Sequence, residues 1–240
     1  MVPGHPHRGP GGAEGVRSKQ CVRYRPWQNG FYTEPSVVSP ILPPHLIGIA
    51  GPSGGGKTTL AGALCEALGE AIPVIPLDAY YRESRSSPEQ LASRNFDHPD
   101  AIDDSLAADH LQALAAGRPV DRPVYDFSTH RRLAETVHVM PASFVIVEGL
   151  FVFHWPRLRQ LLGTRIFLDA TDELCLKRRI ARDRLDRGRT EASVRHQWES
   201  TVRPMFERYG EPTAAFADAV CDGNRPLDEI VDEVTRRFGW

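Results

Sequence analysis

The chain of 240 residues has little cysteine and no long apolar run. Its cysteines are far apart and form no C-x-x-C pair, which argues against a disulfide framework. No apolar stretch approaches the roughly 20 residues of a membrane span. The first residues, MVPGHPHRGPGG, lack the apolar core of a signal peptide. These absences predict a cytoplasmic protein with reduced thiols and no membrane partner.

Charge of one sign is also lacking, since the formal net charge is -2. A chain so close to neutrality has no global attraction for nucleic acid or for an anionic membrane. Its length suits one sizeable α/β domain and would crowd two. We therefore expect a single globular domain whose partner is a small molecule.

The chain changes character near residue 45. Residues 1–44 carry scattered Gly, Pro, Arg and His without helical or strand periodicity, so we expect a mostly disordered extension. Residues 45–240 form the predicted domain. Near-continuous apolar runs at 45–51, 73–79, 144–151, 165–170 and 217–222 indicate strands that are covered on both faces.

Helical patterns separate these strands. Leu60, Leu64 and Leu68 form one apolar stripe, and Leu106, Leu111 and Leu114 mark a second helix. Alternation of strand and helix predicts a doubly wound, mostly parallel five-stranded sheet of the P-loop type. Two β-prone runs within 118–140 predict a hairpin inserted into this α/β domain, where a substrate site is commonly built.

A glycine-rich loop follows the first strand. Residues 51–58, GPSGGGKT, match G-x-x-x-x-G-K-[ST] in full, with a strand before and a helix after. The loop's backbone N–H groups can face a phosphate, Lys57 can reach the β- and γ-phosphate oxygens, and the Thr58 hydroxyl can bind Mg²⁺. The predicted nucleotide-binding residues are Gly51, Ser53, Gly54, Gly55, Gly56, Lys57, Thr58 and Thr59.

Two acids end predicted core strands. Glu148 closes FVIVEG, which should lie beside the loop strand, and its carboxylate could hold Mg²⁺ directly or through water. Asp78 ends the second strand, where it could accept the proton of an attacking hydroxyl. The alternatives are that Glu148 caps a turn and that Asp78 is a helix cap or a surface acid.

An arginine-rich run spans Lys177–Arg189, with seven basic and two acidic residues. A solvated helix and a nucleic-acid contact are two interpretations of such a run. Beside a phosphate loop we favour a third, a mobile lid over 176–195 whose arginines, Arg182 among them, close on the transferring phosphoryl group. Gly188 supplies a flexible exit.

Aromatic and polar residues gather in the predicted hairpin. Tyr125, Phe127 and His130 lie within six positions of one another, with Asp126 between them. Aromatic rings can sandwich a nucleobase and a histidine can hydrogen-bond its edge. Ordinary packing of the hairpin remains the alternative.

Several longer motifs, in this order, resemble the uridine kinase (uridine–cytidine kinase) family, which is related to phosphoribulokinase. They are GPSGGGKTT, LDAYYR, NFDHPDAID, PVYDFSTHRR, VIVEGL and RRIARDRLDRGR, and the resemblance covers about 45–240. The family more usually has Ser-Phe-Tyr where Ala79-Tyr80-Tyr81 stands here, a change that keeps the acid and the aromatic bulk.

The resemblance implies phosphorylation of the 5′-hydroxyl of uridine or cytidine with Mg²⁺ and ATP, and it leaves GTP open as donor. Asp78 would be the catalytic acid, acting with Lys57 and Arg182, and Asp97 would grip the ribose hydroxyls bidentately. Glu148 and Thr58 would hold the magnesium. The implied nucleoside contacts are Asp97, Tyr125, Phe127, His130, Arg179, Arg189 and Gln197. By family analogy the protein would be a homo-oligomer, often a tetramer.

Two other functions remain. A kinase of the same fold could act on a sugar phosphate or pantothenate, although a second phosphate would need further cationic groups and no base-stacking pocket. A GTPase switch should carry an N-K-x-D motif, which the sequence lacks. A degenerate regulator should have lost Lys57, Asp78 or a lid arginine, and all are present.

Overall fold

The computed structural model describes residues 43–69, 71–83, 95–127 and 129–240. The extension expected at 1–44 lies outside these residues except for Pro43 and Pro44, so its disorder stays a prediction. Within the described residues, no helix is both long and apolar enough to cross a membrane.

A five-stranded sheet organises the domain. Its strands are β1 (His45–Ala50), β2 (Val74–Pro76), β5 (Phe144–Gly149), β6 (Thr164–Asp169) and β7 (Ala219–Asp222). They lie in the order β2-β5-β1-β6-β7, and every neighbouring pair is parallel. The strand before the phosphate loop is therefore central, and β5 lies beside it as predicted. The parallel α/β sheet expected from the sequence is confirmed.

Helices cover both faces of this sheet. They are α1 (Lys57–Leu68), α2 (Asp104–Ala115), α3 (Pro156–Leu161), α4 (Asp172–Asp186), α5 (Glu191–Gln197), α6 (Arg203–Tyr209) and α7 (Leu227–Phe238). Alternate side chains of β1 enter opposite halves of the core: Leu46 packs with α2, whereas Ile47 and Ile49 pack with α1 and α7. Burial on both faces explains why the strands read as continuous apolar runs.

The predicted hairpin consists of β3 (Val120–Asp126) and β4 (Arg131–Val139), which pair antiparallel outside the main sheet. Arg132 ties it to the domain: its guanidinium donates to the carbonyls of Tyr80 and Tyr81 at 3.1 and 2.8 Å and pairs with Asp103 at 3.2 Å. The hairpin is thereby held against the segment that follows β2.

The second strand is shorter than the sequence suggested. The expected strand 73–79 ends at Pro76, and Leu77–Tyr80 form a 3-10 turn. Pro76 has no N–H to continue a ladder, and the Leu77 side chain is buried at the turn. Asp78 consequently lies in a turn beyond the strand rather than at its last position.

The arginine-rich run also departs from a single helix. Most of it lies in α4, and α5 follows after Gly188, whose φ of 61° is left-handed. Beyond α5 the chain continues through a π-helical segment, Trp198–Val202, into α6, and the Arg203 N–H bonds the Trp198 carbonyl five residues back. Such segments are common at functional sites.

Candidate active site

The phosphate loop is shaped by its glycines. Gly54 has φ 80°, and a side chain there would place a Cβ 2.2 Å from the Cys175 carbonyl oxygen of α4. Gly56, with φ 102°, immediately precedes α1. The loop therefore packs against α4 and delivers its N–H groups at a helix N-terminus, the arrangement that binds phosphate.

Lys57 is buried at the start of α1, and its ammonium donates to the Pro52 carbonyl at 2.8 Å. Burial lowers the pKa of this lysine, while the nearby carboxylates of Glu148 and Asp78 oppose that effect. The hydrogen bond to Pro52 holds the Lys57 ammonium against the phosphate loop, beside the space where a β- or γ-phosphate would lie.

The Thr58 hydroxyl donates to Glu148 Oε1 at 2.9 Å. Burial raises the pKa of Glu148, which the Lys57 charge and the Thr58 hydrogen bond counteract. A hydroxyl and a carboxylate beside a phosphate site are the hard oxygen donors that Mg²⁺ takes together with nucleotide phosphates and water. Thr58 and Glu148 thus fit the metal that the sequence predicted.

Asp78 lines the same cleft from the turn after β2. Its negative charge opposes the lowering of the Lys57 pKa by burial and adds to the raising of the Glu148 pKa by burial. The three groups therefore form one electrostatic cluster, which contains both predicted acids. Asp78 is half-buried and open to the cleft, as a proton acceptor for a bound hydroxyl must be.

Four arginines converge on Asp183, whose side chain is fully buried. Arg182 bonds one carboxylate oxygen at 2.9 Å, Arg189 bonds the other at 3.2 Å, and Arg179 and Arg187 approach within 3.7 Å. Burial alone would raise the pKa of Asp183, but Arg182, Arg179 and Arg187 outweigh it and hold the pKa below its usual range. One carboxylate thus gathers two arginines of α4 and two from the turn after it.

Arg179 connects this group to the phosphate loop. Its guanidinium is buried and donates to the Ser53 hydroxyl at 2.7 Å and to Gln197 Oε1 at 3.0 Å. Arg178 points to the other end of the cleft, where it donates to the carbonyls of Gly55 and Gly223. Adjacent arginines of α4 therefore serve opposite ends of one cleft.

Asp97 lies at the end of the cleft near Gln197 and is nine-tenths buried. Its Oδ2 accepts hydrogen bonds from Gln197 Nε2 at 3.0 Å and Thr201 Oγ1 at 2.7 Å. One carboxylate oxygen is therefore already engaged by the protein, and the bidentate grip on the ribose hydroxyls stays a prediction. Oδ1 accepts no hydrogen bond from the residues that the structure describes, so it is the oxygen available to a ligand.

Aromatic rings form the wall beside Asp97. Tyr81 packs against Tyr125, Phe127 and Phe96, with ring centroids 5.0, 6.3 and 5.8 Å away. The Arg187 guanidinium lies over the Phe127 ring at 4.5 Å, which brings the arginine-rich turn to the hairpin. This wall can cover a flat, apolar ring.

His130 turns into the same wall from the hairpin tip. Its φ of 55° is the left-handed conformation that non-glycine residues rarely adopt, and its ring stacks on Phe96 at 4.5 Å. Burial and the Arg187 charge lower the pKa of His130, so the imidazole is neutral near pH 7 with one donor and one acceptor nitrogen.

The cleft that contains these groups has a volume of about 1570 Å³. A typical small-molecule site holds about 300–1,000 Å³, so there is room for two ligands. Every predicted site residue from Ser53 onward lines it, and Gly51 forms the base of the loop. The roles assigned to these residues stay predictions.

Sequence reasoning missed several lining residues. Tyr81 directly follows the LDAY run and Phe96 lies in NFDHP, so both were within reach of the motifs already noted. Thr201 carried no signal beyond its place four residues after Gln197. The far end of the cleft, at Gly223, Arg225 and Leu227, was also not predicted, because these positions follow a strand with no recognisable motif.

A central parallel strand, a glycine-rich loop holding a buried lysine, and a hydroxyl–carboxylate pair define a P-loop nucleotide-binding domain, a class that includes GTPases, ATPases and kinases. Comparison with known proteins is more specific. The sequence model of the "Phosphoribulokinase / Uridine kinase family" matches residues 46–226, and the chain belongs to this family.

Relatives support the same assignment. A uridine kinase of Chloroflexus aurantiacus strain J-10-fl is 40% identical over 197 residues, covering 81% of this chain and 94% of that protein. A uridine kinase of Yersinia pestis strain Pestoides F is 44% identical over 181 residues, covering 73% of this chain and 85% of that protein. The structure of phosphoribulokinase from Rhodobacter spheroides matches with a TM-score of 0.55 at 15% identity, over 77% of this chain and 74% of that one, and shows the shared fold.

Proposed function

We propose that this protein transfers the γ-phosphoryl group of ATP to the 5′-hydroxyl of a pyrimidine ribonucleoside, uridine or cytidine. One observation carries the proposal: the cleft has two chemically different halves, and the Asp78 charge acts on Lys57 in one half and on Tyr81 in the other. The phosphate loop, Lys57 and the arginines form one half, and the aromatic wall with Asp97 forms the other. The names of the 40–44% identical relatives support the same substrate class.

The donor half suits a nucleoside triphosphate. Loop N–H groups and Lys57 would hold the β- and γ-phosphates, and a Mg²⁺ ion at Thr58 and Glu148 would neutralise their charge. Arg178 bonds the carbonyls of Gly55 and Gly223, which places the surface at Gly223, Arg225 and Leu227 beside the phosphate loop. We assign that surface to the purine and ribose of the donor.

The acceptor half suits a nucleoside. The rings of Tyr81, Tyr125 and Phe127 would cover the base, and the neutral imidazole of His130 would hydrogen-bond its edge. Asp97 Oδ1 would accept from the ribose hydroxyls. A nucleoside lacking them would leave a buried carboxylate oxygen unpaired, which favours ribose over deoxyribose.

Chemistry would occur between the halves. Asp78 would accept the proton of the 5′-hydroxyl as its oxygen bonds to the γ-phosphorus, the bond from that phosphorus to the bridging oxygen would break, and ADP would leave. Arg182 lines the cleft with its side chain 39% exposed, and it would turn from its bonds to Asp183 toward the transferring group as chemistry begins. The arginine-rich segment 176–195 would close as the lid.

A sugar-phosphate acceptor is the nearest competitor. Arg187 and Arg189 lie near the acceptor half, but both pair with Asp183, and the wall itself is aromatic. The proposal is tested by measuring ADP release with each of four acceptors: uridine, cytidine, ribulose 5-phosphate and pantothenate. We expect turnover with one or both nucleosides only. Turnover of neither nucleoside would overturn it.

A further inference from the structure

Thr201 makes the shortest hydrogen bond to Asp97. Its Oγ1 lies 2.7 Å from Asp97 Oδ2, compared with 3.0 Å for Gln197 Nε2. The hydroxyl also lies 3.2 Å from the Gln197 carbonyl. A hydroxyl has a single proton, and the shorter contact to a charged oxygen is the stronger one, so Thr201 donates to Asp97.

The Gln197 amide is oriented by its other partners. Its Oε1 accepts from the guanidinium groups of Arg179 and Arg189, so its NH₂ group must face Asp97. Two donors, one charge-neutral amide and one hydroxyl, therefore use the acceptor sites of Oδ2. A carboxylate oxygen has about two such sites, which leaves Oδ1 as the oxygen that faces the ligand.

The end of α5 and the π-helical segment that follows it present these two donors together. Gln197 is the last residue of α5, and Thr201 lies within Trp198–Val202. Trp198 and Val202 in the same segment are buried, which fixes the segment against α4. The Thr201 hydroxyl is thus delivered by rigid, packed backbone and not by a loop.

We infer that Thr201 is a positioning residue that fixes the rotation of Asp97, so that Oδ1 is aimed at the ribose hydroxyls of the acceptor. This inference rests on the proposed function. Without the hydroxyl, the Asp97 carboxylate would be held by Gln197 alone and could rotate about its terminal bond. Recognition of the ribose hydroxyls would weaken, while the donor half of the cleft would be unaffected.

Thr201→Val tests this because it keeps the shape and removes the hydroxyl. Loss of a hydrogen bond to a charged group predicts a rise in the KM for uridine of about tenfold, with the KM for ATP and the kcat within about twofold of wild type. Thr201→Ser keeps the donor and should restore the uridine KM. Thr201→Ala lacks the hydroxyl too and should behave like Thr201→Val, which covers the case in which valine disturbs the helix.

A second acceptor separates positioning from general damage. 2′,3′-Dideoxyuridine keeps the 5′-hydroxyl but offers Asp97 no hydroxyl, so its kcat/KM should change by less than about twofold in Thr201→Val. The control is Thr235→Val in α7, a helical threonine whose hydroxyl donates to the Val231 carbonyl and which does not line the cleft. It should match wild type.

The outcomes are distinct. Suppose that the wild-type enzyme phosphorylates uridine, and that Thr201→Val and Thr201→Ala keep both the uridine KM and the preference for uridine over 2′,3′-dideoxyuridine within about twofold of wild type. That result overturns the positioning role and leaves the proposed function standing. Equal losses for both acceptors and for ATP also overturn the positioning role, since they indicate a structural role. A wild-type enzyme inactive on uridine and cytidine overturns the proposed function and this inference with it.

Discussion

Thr58 of the phosphate loop and Glu148 at the end of β5 share a hydrogen bond of 2.9 Å. The two residues are 90 positions apart in the chain and meet because β1 and β5 are parallel neighbours, with Ile49 opposite Glu148. Parallel strands end at the same edge of a sheet, so a strand-end acid and the loop after the adjacent strand converge. This relationship places a carboxylate beside the predicted phosphate and metal position.

Glu148→Gln removes that charge and keeps an oxygen that can accept from Thr58. We expect the Mg²⁺ concentration for half-maximal activity to rise about tenfold, because a carboxylate that holds the metal or its water is lost. A magnesium titration at saturating ATP measures this. The control is Glu135→Gln on the exposed strand β4. An unchanged magnesium requirement would remove Glu148 from the metal site.

Asp78→Asn should abolish most of the turnover and leave nucleotide binding intact. A general base contributes about 10²–10⁴-fold, and the amide cannot accept the hydroxyl proton. Calorimetric titration with a nonhydrolysable ATP analogue would show binding within about twofold of wild type. Turnover like that of wild type would show that Asp78 is not the base.

His130→Ala should weaken nucleoside binding more than ATP binding, since the imidazole lies on the acceptor wall. The KM for uridine should rise about tenfold, because the variant loses a hydrogen bond and a ring contact to the nucleoside. His138→Ala is the matched control, on the same hairpin but exposed and paired with Asp121. Equal losses for nucleoside and ATP would point to misfolding of the hairpin.

The same histidine predicts a pH dependence. Its pKa is lowered by burial and by Arg187, so it is neutral near pH 7 and becomes charged only below its usual range. Protonation would remove its acceptor nitrogen and place a cation beside Arg187. We expect the uridine KM to rise as the pH falls below the ordinary histidine pKa of about 6.5 and expect His130→Gln to flatten that rise. A profile identical in the two proteins would contradict this role.

Asp183→Asn tests the buried carboxylate beneath the arginines. Leaving these guanidinium groups without their counter-ion should lower the free energy of unfolding by on the order of 3 kcal/mol. Because the folded-state pKa of Asp183 is lowered, its contribution is present above its unfolded pKa and disappears as the pH falls through the folded one. Thermal unfolding across the pH range measures this.

The difference in Tm between wild type and Asp183→Asn should be constant from about pH 8 to about pH 5 and should shrink below about pH 4. Asp232→Asn, at an exposed position of α7, is the control. A difference that stays the same at acid pH would mean that the carboxylate charge does not hold the arginines.

Local sequence predicted the phosphate loop and the parallel core well, because both depend on near neighbours in the chain. A glycine-rich loop of this sequence between a buried strand and a helix has few possible functions other than phosphate binding. The continuous apolar runs follow from burial of the strands on both faces of the sheet. The position of Asp78 was less predictable, since Pro76 and the buried Leu77 end the strand early and form a turn.

Two other features depend on contacts that no local pattern records. Thr201 donates a hydrogen bond to Asp97, which is 104 positions away in the chain, and it does so from a π-helical segment that no sequence pattern predicted. Asp183 reads as one acid in a basic run, and only the packing of α4 reveals that it is buried beneath the arginines. Motifs and spacing in the sequence identify candidate site residues, but they do not predict which of these residues contact one another in the folded chain.

The most direct test of the proposed function is the position of the phosphate in the product. Wild-type protein is incubated with ATP, Mg²⁺ and uridine or cytidine, and proton-coupled phosphorus NMR is recorded. Transfer to the 5′-hydroxyl predicts a monophosphate signal split into a triplet by the two H5′ protons. A doublet, from a phosphate on the 2′- or 3′-oxygen, or no nucleoside monophosphate from either acceptor, would contradict the account.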